Sequence, residues 1–126
     1  MPTLEALGLS STPERVMLIG APESVLKEAD KMKPRPSFAS TLQVAEPTPR
    51  MAWWPQRRLL NPRTLTRLGW MLSSARGEAW IVVRPTESEG LRVVDVKAAL
   101  MGTTLRAHEE LALSSGAVAL RVTSDR

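Results

Sequence analysis

An α/β layer fold whose sheet ends in an antiparallel edge is what this sequence predicts, and three observations carry that expectation. Short apolar runs that read as strands alternate with segments of helical periodicity. The run Ala79 to Val83 (Ala-Trp-Ile-Val-Val) is almost continuously apolar, as a strand covered on both faces requires. The chain then finishes in two extended segments, about Leu105 to Leu113 and Ala117 to Val122, separated by Ser114-Ser115-Gly116, which is a hairpin signature.

The elements follow in order. Residues 1–14 form a lead-in, in which Leu4 to Leu9 read as a short amphipathic turn near Gly8 and Ser10 to Pro13 as a loop. The first strand runs from Arg15 to Ile19 and breaks at Gly20, where a backbone can turn sharply or let something approach closely. Pro22 suits a first helical turn, and Glu23 favours the positive end of the helix dipole. Val25, Leu26, Ala29 and Met32 then recur at helical spacing, with Lys27, Glu28, Lys31 and Lys33 outward, until Pro34 and Pro36 end the helix. Phe38 to Ala45 reads as a second strand closing at Glu46, and Met51 to Trp54, set between prolines, as a third.

The next helix is the best marked. Asn61 is an N-cap residue, Pro62 occupies the first helical position, Leu65, Leu68 and Leu72 share a face widened by Met71, and Gly77 sits past the end. Trp70 falls off that stripe. Strand Ala79 to Val83 ends at Arg84-Pro85, the polar turn Thr86 to Gly90 follows, and a helix from about Arg92 to Met101 repeats Val93, Val96, Ala99 and Leu100 before Gly102.

Composition bounds the function. A chain of 126 residues is one α/β domain, able to bury roughly two thirds of its unfolded surface without staples. The absence of cysteine excludes disulfides, thiolate catalysis and cysteine-ligated zinc. The N-terminus lacks the pattern of a signal peptide and no stretch approaches a membrane span, so a soluble cytoplasmic protein is expected. The net charge of +4 and pI of about 10.3 are unevenly spread. Pro47 to Gly77 holds six arginines (Arg50, Arg57, Arg58, Arg63, Arg67, Arg76), three of the four tryptophans and no acid. Such a segment can meet nucleic acid or an acidic protein, while the plainer reading makes the arginines solvated heads on a core element.

The element order looks like a truncated form of the Rossmann-like fold of class I S-adenosylmethionine-dependent methyltransferases, whose last two strands also pair antiparallel. More closely, the chain resembles a bacterial family of uncharacterised small proteins, the domain of unknown function 3052. Leu7-Gly8, the strand Val16 to Ile19 followed by Ala21-Pro22-Glu23, and Gly77-Glu78-Ala79-Trp80-Ile81 running to Pro85 match its motifs. The chain departs from that family at Thr86-Glu87-Ser88-Glu89-Gly90, where lysines are usual, and lacks its tryptophan in the last hairpin. The resemblance implies a fold and carries no activity with it.

A working methyltransferase of this kind is expected to show several glycines after the first strand and an acid at the end of the second, for the ribose hydroxyls. Here Gly20 stands alone in its corner, Pro22 has no N–H to give, and Glu23 repels phosphate. Gly20, Ala21 and Glu46 are the residues that would hold the cofactor, Glu46 on condition that Leu42 to Ala45 is the second strand. Only six residues separate Glu46 from Trp53, short of a parallel crossover, so at least one strand and its helix should be missing. His108 is the one histidine and reads as a surface residue, not a metal ligand, and no serine sits in a nucleophile turn.

The expectation is therefore a non-catalytic, degenerate methyltransferase-like domain, without cofactor, that binds a protein partner or itself. Trp53, Trp54, Arg57 and Arg58 are the candidate contact residues, because tryptophan and arginine are enriched at interface hot spots. The competing reading puts both tryptophans in the core, Trp53 ahead of Trp54. Two alternatives stand beside it: a small S-adenosylmethionine-dependent methyltransferase, and nucleic-acid binding through residues 50–76.

Overall fold

The computed structural model describes residues 2–84, 90–114 and 116–125. Thr86 to Glu89 of the expected polar turn, including Glu87 and Glu89, and Ser115 of the hairpin turn lie outside the described residues. Strands β1 (Val16–Ile19), β2 (Ser37–Ala39), β3 (Arg50–Trp53), β4 (Glu78–Val83), β5 (Leu105–Ala112) and β6 (Val118–Ser124) join helices α1 (Thr3–Ala6), α2 (Glu23–Ala29), α3 (Pro62–Ala75) and α4 (Val93–Leu100). They form one sheet in the order β2-β1-β3-β4-β6-β5. The first four are mutually parallel, and β6 runs antiparallel between β4 and β5. The chain moves outward from β1 to β2 and then returns past β1 to β3. That reversal makes β1/β3 the switch point, beside which open α/β sheets form ligand crevices at their carboxyl ends.

Both faces of the sheet are covered, which is why its central strands are apolar throughout. Val16 and Leu18 of β1 pack toward α1 and α2 with Val25, Ala29, Ala52, Trp80 and Val82. Met17 and Ile19, one pleat step away, pack toward α3 and α4 with Met51, Trp53, Leu65, Leu68 and Ile81. Helix α1 is tied to α2 through Glu28, whose Oε1 accepts the backbone N–H groups of Leu4 (2.7 Å) and Glu5 (3.1 Å).

The best-marked helix forms as its sequence requires, with one exchange of roles at its end. Asn61 Oδ1 accepts the Thr64 N–H at 2.9 Å, and Pro62 stands at the first helical position. At the C-terminus Arg76, not Gly77, takes the left-handed conformation, at φ 52°. Gly77 is needed for another reason. A Cβ there would lie 2.3 Å from the Pro49 carbonyl oxygen, because the backbones preceding β3 and β4 meet at that point. The same carbonyl accepts the Glu78 N–H at 3.0 Å.

The second strand differs from expectation. Phe38 to Ala45 is not one strand: β2 stops at Ala39, and Leu42–Val44 form a 3-10 turn that buries Leu42 in the α3 face. Arg67 of α3 fixes this turn, donating from Nε to the Leu42 carbonyl (2.8 Å) and from Nη2 to the Ala45 carbonyl (3.0 Å). The link from β2 to β3 is thus Ser40 to Pro49, ten residues with one helical turn where a parallel crossover usually carries a full helix. The helix after Pro22 is also shorter than expected, since it ends at Ala29 and leaves Met32 beyond it.

The arginines of residues 47–77 do not gather into one strip. Arg50, at the start of β3, bridges Glu14 and Glu78, each at 2.8 Å. Glu78 passes the pairing on to Arg121 (3.1 Å), which also holds Glu109 (2.7 Å). The hydrogen bonds that Arg121 donates to Glu109 and, against desolvation, to Glu78 raise its pKa above the ordinary value. Arg57 and Arg58 lie beyond the opposite, carboxyl end of β3.

Candidate functional site at the carboxyl edge of the sheet

Gly20 sits where β1 leaves the sheet, with φ +69°, a region that favours glycine. Its N–H donates to the Ala39 carbonyl at 2.9 Å, and the Ile19 carbonyl accepts the Trp54 N–H at 3.0 Å. A Cβ at Gly20 would stand 3.2 Å from the Trp54 carbonyl oxygen and 3.7 Å from that of Ser40. The glycine is therefore required by backbone conformation and by the close passage of the neighbouring strand ends. Gly20→Ala is expected to lower stability by about 2 kcal/mol, from left-handed strain plus a tight contact, which urea denaturation would measure.

Around this corner the expected cofactor residues separate. Ala21 is half-buried against the cluster under α1 and α2. Pro22 is the N-cap of α2, with no side-chain capping bond. Glu46 is exposed and follows the 3-10 turn, not the end of β2. The positions that do follow β2 are Ser40 and Thr41, neither of them acidic. Leu42 and Val44 alternate in sequence like strand residues, which suggests a strand end at Glu46, but Leu42 turns inward and Val44 is 65% exposed.

The expected partner residues also divide. Trp53 is 1% exposed and lies in the core beneath α3 and α4, so it is not a surface contact residue. As the last residue of β3 it still follows the strand's alternation and points to the covered face, which explains why. Trp54 is half-buried and lines a cavity of about 500 Å³ bounded by α2, the end of β4 and the hairpin turn. Arg57 reaches back to α4, with Nη2 3.3 Å from Asp95 Oδ2 and 3.4 Å from the Gly90 carbonyl. Arg58 is exposed.

The tryptophan that does face solvent is Trp70, 54% exposed, with the Arg67 guanidinium carbon 5.5 Å from its ring centroid. Its position off the leucine stripe of α3 was the signal for this. The cavity beside Trp54 has no comparable signal, since α2, β3, β4 and the hairpin meet there only after folding. His108 lies on the exposed face of β5, with Nε2 hydrogen-bonded to Thr123 Oγ1. Among the described residues no cluster of His, Cys, Asp and Glu is placed to hold a metal ion, and no helix is long and apolar enough to cross a membrane.

The six-stranded order and antiparallel hairpin define a Rossmann-like fold of the class I methyltransferase type. No family model and no curated protein matches the chain. Among solved structures it is similar to magnesium protoporphyrin IX methyltransferase from Synechocystis PCC 6803 with bound SAM. That match has TM-score 0.56 and 10% identity, over 95% of this chain and 74% of the other. It is also similar to an O-methyltransferase family 2 protein from Planctomyces limnophilus DSM 3776 in complex with apigenin, at TM-score 0.55 and 11% identity. The latter match covers 92% of this chain but about half (51%) of the other. At such identity the likeness is one of fold.

S-adenosylmethionine is the cofactor such a fold implies, and the residues at the corner do not fit it. No carboxylate follows β2 to take the ribose hydroxyls, and the Gly20 turn is packed on the backbones of Ser40 and Trp54. Strand β2, which would flank a nucleoside, is the edge of the sheet, and among the described residues no strand lies beyond it.

Proposed function

We propose that this chain is a binding module on a methyltransferase scaffold, engaging a protein partner or a second copy of itself, and not an S-adenosylmethionine-dependent enzyme. The observation that supports the reading is the corner at Gly20, where Ser40 and Thr41 stand in place of a ribose-binding acid. The contact surface is the aromatic face of α3 around Trp70, whose exposed indole, held beside the half-buried Arg67 guanidinium, is of the side-chain type that dominates interface energetics. The short motifs shared with the domain of unknown function 3052 family, Ala21-Pro22-Glu23 among them, sit on this same scaffold and support membership in that family.

A second reading, a small methyltransferase using Gly20 and Ala21, is favoured by the similarity to a structure with bound SAM. Calorimetry with S-adenosylmethionine and S-adenosylhomocysteine separates the two. The expected result is no saturable heat at millimolar ligand. A site with a dissociation constant near 10 μM would in addition stabilise the fold by about 2.7 kcal/mol at 1 mM ligand, visible as a melting shift of several degrees. Either signal would establish the methyltransferase reading instead.

A further inference from the structure

The cavity of about 500 Å³ beside Trp54 has a two-part lining. Its floor is apolar: Val82 at the end of β4, Leu113 and Ala117 at the hairpin turn, all largely buried, and the half-buried Trp54. Its rim is cationic. Lys27 on α2 and Lys31, just past the end of that helix, line it together with Arg84. Glu28 is the only carboxylate among the described lining residues, and its Oε1 is turned to the backbone N–H groups of Leu4 and Glu5. Lys27 has a loose solvent-exposed pairing with Glu23 at 3.8 Å, which screening reduces to little.

We propose that this cavity binds a small amphipathic anion: one carboxylate or comparable anionic head on an apolar body. The volume falls within the range of about 300 to 1,000 Å³ typical of small-molecule pockets. Transfer of the apolar body onto Val82, Leu113, Ala117 and Trp54 supplies the driving force, at roughly 25 cal/mol per Å² removed from water. The lysines supply the sign preference. A neutral ligand gains the first term alone, and a cationic one meets repulsion at the rim. This inference is independent of the partner surface on α3, which lies on the opposite face of the sheet.

Titration of the full chain with octanoate, 1-octanol and octyltrimethylammonium at low ionic strength, read by calorimetry and tryptophan fluorescence, tests it. Octanoate is expected to bind saturably, at least fivefold tighter than octanol, while the ammonium compound does not saturate. Lys31→Glu, at an exposed position past the end of α2, is expected to weaken octanoate at least fivefold while leaving octanol binding and the melting temperature unchanged. Ser24→Trp, which fills the cavity from α2, is expected to abolish both alkyl ligands. Absence of saturable octanoate binding at 5 mM, equal affinity for octanol, or full retention of octanoate affinity in Lys31→Glu would each overturn the proposal.

Discussion

Gly77→Ala is expected to destabilise the protein by about 3 kcal/mol, the upper end of what forced overpacking costs, and to lower its melting temperature by about 10 °C. The added Cβ would stand 2.3 Å from the Pro49 carbonyl oxygen and 2.7 Å from that residue's C and Cα. All three are backbone atoms, so no side chain can swing away. Relief requires moving the start of β4 off the start of β3, which strains the Glu78 N–H to Pro49 carbonyl bond and the Arg50↔Glu78 register behind it. The adjacent position gives the internal contrast. Arg76 holds φ 52° without being glycine, so Arg76→Gly should be neutral or slightly stabilising. Paired urea denaturation curves of the two variants check both signs, and a tolerated alanine at position 77 would mean that the two backbones are farther apart than described.

Trp53→Ala is expected to cost about 3 to 5 kcal/mol, the range for emptying a buried aromatic site, which approaches the total stability of many domains of this size. Its side chain is 1% exposed and packs among Met51, Leu65, Leu68 and Ile81. Trp70→Ala, by contrast, should leave stability within about 0.5 kcal/mol while weakening self-association or partner capture. Denaturation midpoints together with light scattering over a range of protein concentrations read both effects. A Trp53→Ala variant that stays fully stable would put that residue outside the core.

Much of this architecture is legible in the sequence because it rests on local rules. Asn61 and Pro62 start α3 where cap chemistry puts them, and Ala79 to Val83 reads as a doubly covered strand because no polar residue interrupts it. The antiparallel edge follows from the two extended segments about Ser114 to Gly116. The second strand was misplaced for a nonlocal reason. Leu42 and Val44 alternate as in a strand, but Arg67, more than twenty residues later, binds the carbonyls of Leu42 and Ala45 and holds the segment as a turn. Glu46 went astray with it.

At the site, the sequence located the corner but not its contents. Gly20 was rightly marked as a turn, yet the atoms that require glycine there belong to Trp54 and Ser40, each on a different strand exit. Trp53 and Trp54 are neighbours with opposite fates because successive strand residues face opposite sides. Nothing in a Trp-Trp pair says which side is which until the sheet order is known. Lys27 and Lys31 have the spacing of a solvated helix face, and the cavity they border forms only where α2, β4 and the hairpin meet.

The most direct measurement is a residue-resolved amide NMR titration with S-adenosylhomocysteine up to 2 mM, following the signals of Gly20, Ala21, Ser40 and Thr41. With no carboxylate after β2 and the Gly20 turn closed by backbone, those amides should stay in place. Saturable shifts confined to those four, reporting a nucleoside seated against β1 and β2, would contradict the proposal that this scaffold has given up its cofactor.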